Sequence, residues 1–198
     1  MKKEFFSLLG YFLFFSFLLI SCDNQPVLLP NPPQDPPELH ERNIMKVYVN
    51  MNNEIMVTPG KDEPITLAVD ELDGLRELAK KFITANTPGG VTNDKYPECK
   101  TEPYILEYPD ENGDMQTYPK ACYVNKHVIT LQTDRATKYE VYFKVQEALY
   151  GAYNDLRKEF AYETFGDREL TEIEQGWCNR RYINMILEAT PIEIGKKR

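Results

Sequence analysis

Basic residues are scarce. The 198 residues carry 23 Lys and Arg against 31 Asp and Glu, a net charge of −8. Phosphate recognition needs clustered cations, so nucleic-acid binding is excluded as a function class. Histidine is rarer still, with two copies. There is no H-E-x-x-H, C-x-x-C, G-x-S-x-G or glycine-rich phosphate loop. His40 lies in a proline-rich stretch, and His127 abuts a candidate strand as a surface or packing residue. Four cysteines are too few for a disulfide-dense scaffold. Cys178 has no neighbouring histidine to activate it as a nucleophile. Asp110, Asn112 and Asp114 alternate as in a calcium loop, but Gly113 is misplaced and no Glu closes the series, so they read as a turn. No catalytic activity, metal or cofactor is expected. Hydrophobic residues make up 42%, enough for a packed core, which excludes disorder throughout.

Long apolar runs are also few, and the one present is informative. Phe5 to Ile20 follows Lys2 and Lys3 and is broken only by Ser7, Gly10 and Ser16. It is short for a membrane span, which wants about 20 residues, and suits a secretory leader. It ends in Leu19-Ile20-Ser21-Cys22. This resembles the lipobox of bacterial lipoproteins, which implies cleavage after Ser21 and acylation of Cys22. Acyl chains anchor stably in pairs because each buried CH₂ is worth about 0.8 kcal/mol. An uncleaved signal anchor is the alternative. Cleavage removes Lys2, Lys3 and Glu4, leaving 21 basic against 30 acidic residues, or −9. Anionic headgroups would repel such a body.

Residues 22–43 follow as a tether. Pro26, Pro30, Pro32, Pro33, Pro36 and Pro37 forbid helix and central strand. At ~3.1 Å per residue the stretch reaches roughly 60 Å. It is a spacer or a leader without a length requirement. From residue 44 to about 194 the texture is that of a folded domain. Met45, Val47, Val49 and Met51 alternate as a strand, Asn52-Asn53 turns the chain, and Glu54 to Thr58 returns. Leu72, Leu75, Leu78, Ala79, Phe82 and Ile83 share one face of a helix over 70–83, with Asp70 as its N-cap. Residues 86–125 form an insertion with a hairpin about Asn112-Gly113. Cys99 and Cys122 flank that hairpin, and in an oxidising compartment they are a candidate bridge worth roughly 3 kcal/mol. Two free thiols is the alternative.

Val128 to Thr133 is a strand, and a long helix follows to Gly166. Thr137 and Glu140 are spaced as a capping box. Tyr142, Val145, Leu149, Ala152, Leu156 and Phe160 form its core stripe. Tyr150 and Tyr153 lie off that stripe and are candidates for contact with a second subunit; the helix's far end would meet a second subunit or a partner. Asp134-Arg135 and Tyr139 are candidate partner contacts; a local turn is the alternative for the charged pair. Trp177 reads as a packing anchor for the C-terminal segment.

The run ITLQTDRATKYEVYFKVQEALYGAYNDLRKEFA at 129–161 resembles the periplasmic domain of the ExbD/TolR biopolymer-transport family, in its Bacteroidetes form. Asp134, Arg135, Thr137 and Tyr139 match its D-R-G-T-x-Y junction, with Ala136 in place of glycine. Lys144-Val145-Gln146, Ala152-Tyr153-Asn154 and Leu156-Arg157 match its helix, and Ile186 to Pro191 resembles its terminus. The resemblance implies an α+β domain, a small mixed sheet with two main helices on one face. It also implies a homodimer working with a proton-channel subunit and a TonB-type protein. Family members carry a membrane helix with an aspartate for proton movement. Phe5 to Ile20 has none. The expectation is therefore a lipid-anchored accessory module in the bacterial envelope, its domain in the periplasm and its membrane undecided, acting by protein–protein binding. A lipoprotein module for peptidoglycan or a peptide is the rival reading.

Overall fold

The computed structural model describes residues 40–100 and 102–191, all within one compact unit, Leu39–Arg198. The leader, Leu19, Ile20, Ser21, Cys22 and most of the tether lie outside the described residues. The tether gives way to the domain just before Ile44. A short 3-10 turn spans Glu41–Asn43, and the buried Asn43 side chain accepts the Glu98 N–H at 3.1 Å.

Strand β1 (Ile44–Val49) pairs antiparallel with β2 (Ile55–Pro59), and β2 with β3 (Ile65–Leu67). Helix α1 (Leu72–Thr84) follows. The insertion holds a separate antiparallel pair, β4 (Glu107–Pro109) and β5 (Met115–Thr117). Then β6 (Val128–Thr133) lies parallel to β1. Helices α2 (Tyr139–Phe165) and α3 (Glu172–Arg181) carry the chain to β7 (Ile186–Glu188), parallel to β6. The main sheet has the order β3-β2-β1-β6-β7. The class is α+β, with a five-stranded mixed sheet, a two-stranded sheet and three helices among the described residues. None of those helices is long and apolar enough to cross a membrane.

The period-two pattern decides which sheet face is covered. Met45, Val47, Val49, Ile55, Val57, Ile129 and Leu131 all point into one core. Against them pack Leu75, Ala79, Phe82 and Ile83 of α1 and a broad stripe of α2. Arg76 donates from two nitrogens to the Asp155 carboxylate at 2.5 Å, and Lys80 donates to Glu159 at 2.6 Å, so charged pairs rim the α1–α2 seam. A second cluster of Leu106, Tyr118 and Cys122 gathers Phe160, Phe165 and Trp177. The insertion thus packs on the far end of α2 and on α3. Gly176 is required there, because a Cβ would lie 2.2 Å from the Tyr108 ring.

Several expectations change. Met51 is 57% exposed, because the turn begins there and ends the alternation. Asp70 does not cap α1. A 3-10 turn over Val69–Glu71 precedes it, and Glu71 accepts the Ala68 N–H at 2.8 Å. The expected capping box at Thr137 does not form. Thr137 Oγ1 donates to the Val49 and Asn50 carbonyls at 3.0 and 3.1 Å, while Glu140 accepts from Lys144 at 2.6 Å. The box with both bonds is at Thr171 and Glu174, opening α3. Helix α2 ends as expected, at Gly166 with φ 79°. Its far end packs against the insertion. Cys99 and Cys122 are free thiols. Cys99 sits opposite Asn125 and Cys122 opposite Tyr104. Three residues of extended chain, roughly 10 Å, separate those rungs, and a disulfide needs Cα atoms within about 7 Å.

Candidate partner-binding site

The junction between β6 and α2 is knitted to the β1–β2 turn. Asp134 N–H donates to the Val49 carbonyl at 2.9 Å, extending the parallel ladder by one rung. The Asp134 carboxylate turns back and accepts the Ala136 N–H at 2.8 Å, an Asx turn. Thr137 ties the same segment to β1, and the Lys138 N–H donates to Asn53 Oδ1 at 3.3 Å. Asn53 supports this from a left-handed position, φ 64°. The segment that enters α2 is therefore held to the β1–β2 turn at four points.

A cavity of about 530 Å³ opens above this junction. Leu131 and Thr133 of β6, Arg135, Tyr139 and Tyr142 of the α2 entrance, and Glu188 of β7 line it. It lies at the carboxyl ends of two adjacent parallel strands, where loops are free to build a binding crevice. Tyr142 Oη donates to Glu188 Oε2 at 2.5 Å, and Gln146 donates to Glu188 Oε1 at 2.7 Å. The Glu188 carboxylate, with burial second, pushes the Tyr142 hydroxyl up to about 12. Tyr142 is thereby a fixed, neutral wall between α2 and β7.

Three rings cluster at the α2 entrance, two of which line the cavity. Tyr139 and Phe143 meet edge to face with centroids 4.5 Å apart, and Tyr142 lies 5.8 Å from Phe143. Tyr139 is 70% exposed and Phe143 46%. Beside them β7 has no outer neighbour among the described residues. Ile129 N–H donates to the Met185 carbonyl and Ala189 N–H to the Leu131 carbonyl, so by alternation Ile186 and Glu188 turn their backbone groups outward. Exposed aromatic area and unpaired strand backbone thus stand side by side.

No family model, curated protein or solved structure matches the chain.

The cavity brings together Asp134, Arg135 and Tyr139, as their sequence spacing suggests. Asp134 is buried and holds the turn, while Arg135 is exposed. Tyr150 is half-buried. Tyr153 is no surface residue, since it is wholly buried. The α2 stripe is broader than expected, including Val141, Ala148 and Tyr153, because 149, 153 and 156 continue the 3.6-residue period as well as 149, 152 and 156 do. Phe143 and Glu188 are additions. Phe143 was legible as an aromatic one turn beyond Tyr139, off the core stripe. Glu188 carried no local signal, being 46 residues from the tyrosine it binds.

Behind α2, Tyr153 belongs to a buried polar chain. Met185 N–H donates to Tyr153 Oη at 3.1 Å, and Tyr153 Oη lies 3.0 Å from His127 Nε2. His127 Nδ1 lies 2.6 Å from Asn125 Oδ1. Asn125 Nδ2 donates to the Phe82 and Ala85 carbonyls at the end of α1. One tautomer satisfies every member: Nδ1–H donates to Asn125, and Nε2 accepts from Tyr153. Burial first, and the Lys100 charge second, push His127 down to about 4. Burial pushes Tyr153 up to about 12, against the Met185 N–H it accepts. His127 is thus a neutral core residue that ties α1, α2 and the approach to β7 together.

Proposed function

We propose that this chain is a lipid-anchored, ExbD-like accessory component of a TonB-type energised transport system, working by protein–protein binding. The lipobox at Cys22 supplies the anchor and the proline-rich tether the reach. The resemblance over 129–161 supplies the prior. The observation that carries the reading is the convergence on one crevice of the Asp134–Tyr139 junction, Tyr139 and Tyr142 with Phe143 packed against them, and a strand edge with no neighbour among the described residues. Such a surface suits an extended partner segment, added as a strand along β7 with a side chain in the crevice. Aromatic residues at a crevice are the usual anchors of such contacts. Without a membrane carboxylate the protein does not itself carry protons, and it joins a channel subunit and a TonB-type protein as a docking module, as a homodimer in the family's manner.

The test is capture from membranes with the full lipidated chain as bait. Channel-subunit or TonB-type proteins are expected in the eluate. The double substitution Tyr139→Ala with Phe143→Ala should cut their recovery at least about tenfold. Both side chains are exposed, so circular dichroism should not change. Recovery of neither protein would overturn the reading, and sedimentation with purified cell wall would move it to peptidoglycan.

A further inference from the structure

A second concavity lies at the other end of the sheet, where the insertion meets the segment between α3 and β7. Its volume is about 420 Å³. Lys100, Lys126, Arg180 and Arg181 line it, and no carboxylate among the described residues does. These cations come from three separate stretches of a chain whose net charge is −8. Lys126 pairs with Glu98 at 3.3 Å. Among the described residues Lys100, Arg180 and Arg181 make no ion pair, nor do Lys61, Lys81, Lys120, Lys138, Arg157 and Lys158; what sets the first three apart is that they converge on one hollow. Arg180 and Arg181 spread over the Tyr108 and Tyr182 rings, with centroids at 5.4 and 4.7 Å.

Position at the end of α3 accounts for two arginines, because cations suit the negative end of a helix. It does not account for Lys100, in the insertion, or Lys126, just after it, which face the same hollow. Like charges gathered on a concave, low-dielectric wall raise the local potential by several kT and draw anions in. The wall between them is apolar. Val124 lies on the insertion side, and Ile183 and Met185 on the other, 61% and 44% exposed. The floor is rigid, since Asn125, His127 and Met185 are fixed by the buried chain through Tyr153. A cavity of this size, mostly apolar with a few convergent polar groups, has the make-up of a small-ligand site.

We propose that this hollow binds a small amphiphilic anion: an oxyanion, carboxylate or phosphate, joined to an apolar chain. The oxyanion meets Lys100, Lys126 and Arg180, and the chain lies on Val124, Ile183 and Met185. The site is distinct from the crevice at Tyr139 and does not depend on the transport reading.

The unit Leu39–Arg198 holds both hydrophobic clusters entirely within itself and serves for the test. Decanoate below its micelle concentration, decanol and inorganic phosphate are titrated into the ¹⁵N-labelled protein. Decanoate should shift the amides of 124–128 and 180–185 and bind at least about tenfold tighter than decanol or phosphate. Lys100→Gln and Arg180→Gln should each weaken decanoate about fivefold and leave decanol unchanged. Both side chains are exposed, so neither substitution threatens folding. Equal binding of decanol and decanoate would overturn the proposal, as would indifference to both substitutions or shifts confined to the Tyr139 crevice. Sedimentation with phosphatidylglycerol vesicles, without decanoate binding, would make the patch a membrane contact and overturn the pocket.

Discussion

Protonating His127 should destabilise this protein, and the pH window of the loss follows from the buried chain. In the folded state the ring is neutral down to about pH 4. Unfolded, it titrates near its ordinary value, about 6.5. A folded value below the unfolded one means that the unfolded chain binds the extra proton first. Stability is therefore complete above about pH 6.5 and falls as pH drops toward 4. The gap corresponds to about 2 kcal/mol lost at pH 5 and about 3 kcal/mol once both states are protonated. The hydrogen bonds give the same sign. A proton on Nε2 sets N–H against the Tyr153 O–H, and a reversed hydroxyl would leave the Met185 N–H facing a hydrogen. Carboxylates do not confuse this window. Glu174, held near about 2 chiefly by Arg168, and Asp155, held low by Arg76, lose their contribution only as pH falls through the carboxylate range. Urea unfolding of the Leu39–Arg198 unit between pH 8 and pH 5 measures the effect. Wild type and His40→Gln should both lose about 2 kcal/mol, while His127→Gln, weaker at pH 8, should lose less than about 0.5 kcal/mol. An unchanged slope in His127→Gln would refute the reasoning.

Other outcomes follow from single positions. Gly74 is exposed within α1, and a Cβ there meets nothing within 4 Å, so Gly74→Ala should stabilise by about 0.5–1 kcal/mol in the same urea assay. Gly176→Ala should destabilise by about 1–3 kcal/mol and change Trp177 fluorescence, because the added methyl drives Tyr108 off α3. Thr137→Val removes the hydroxyl bonded to the Val49 and Asn50 carbonyls and should cost about 1 kcal/mol. Maleimide labelling of the unfolded Leu39–Arg198 unit, without reductant, should count three thiols, at Cys99, Cys122 and Cys178; a count of one would mean that Cys99 and Cys122 are bridged after all.

Local rules settled the regular elements. Alternation over 45–49 needs only the two-residue period of a strand, and it correctly assigned the buried face of β1. The 3.6-residue period and a glycine stop were enough for α2. These signals lie within a few residues of the positions they govern, so the sequence carries them openly. The Asp134–Tyr139 junction was visible as a group for the same reason. Tertiary structure decided what each group meets. Thr137 has a capping spacing, yet β1 carbonyls stand closer than the helix N–H groups. Tyr153 looks free on a helical wheel, yet a histidine 26 residues away claims its hydroxyl. Glu188 reaches Tyr142, and the cations at 100, 126, 180 and 181 reach one another, only when the crossovers close. A sequence states the order of its side chains along the backbone, and packing fixes which distant ones share a dielectric and a hydrogen bond.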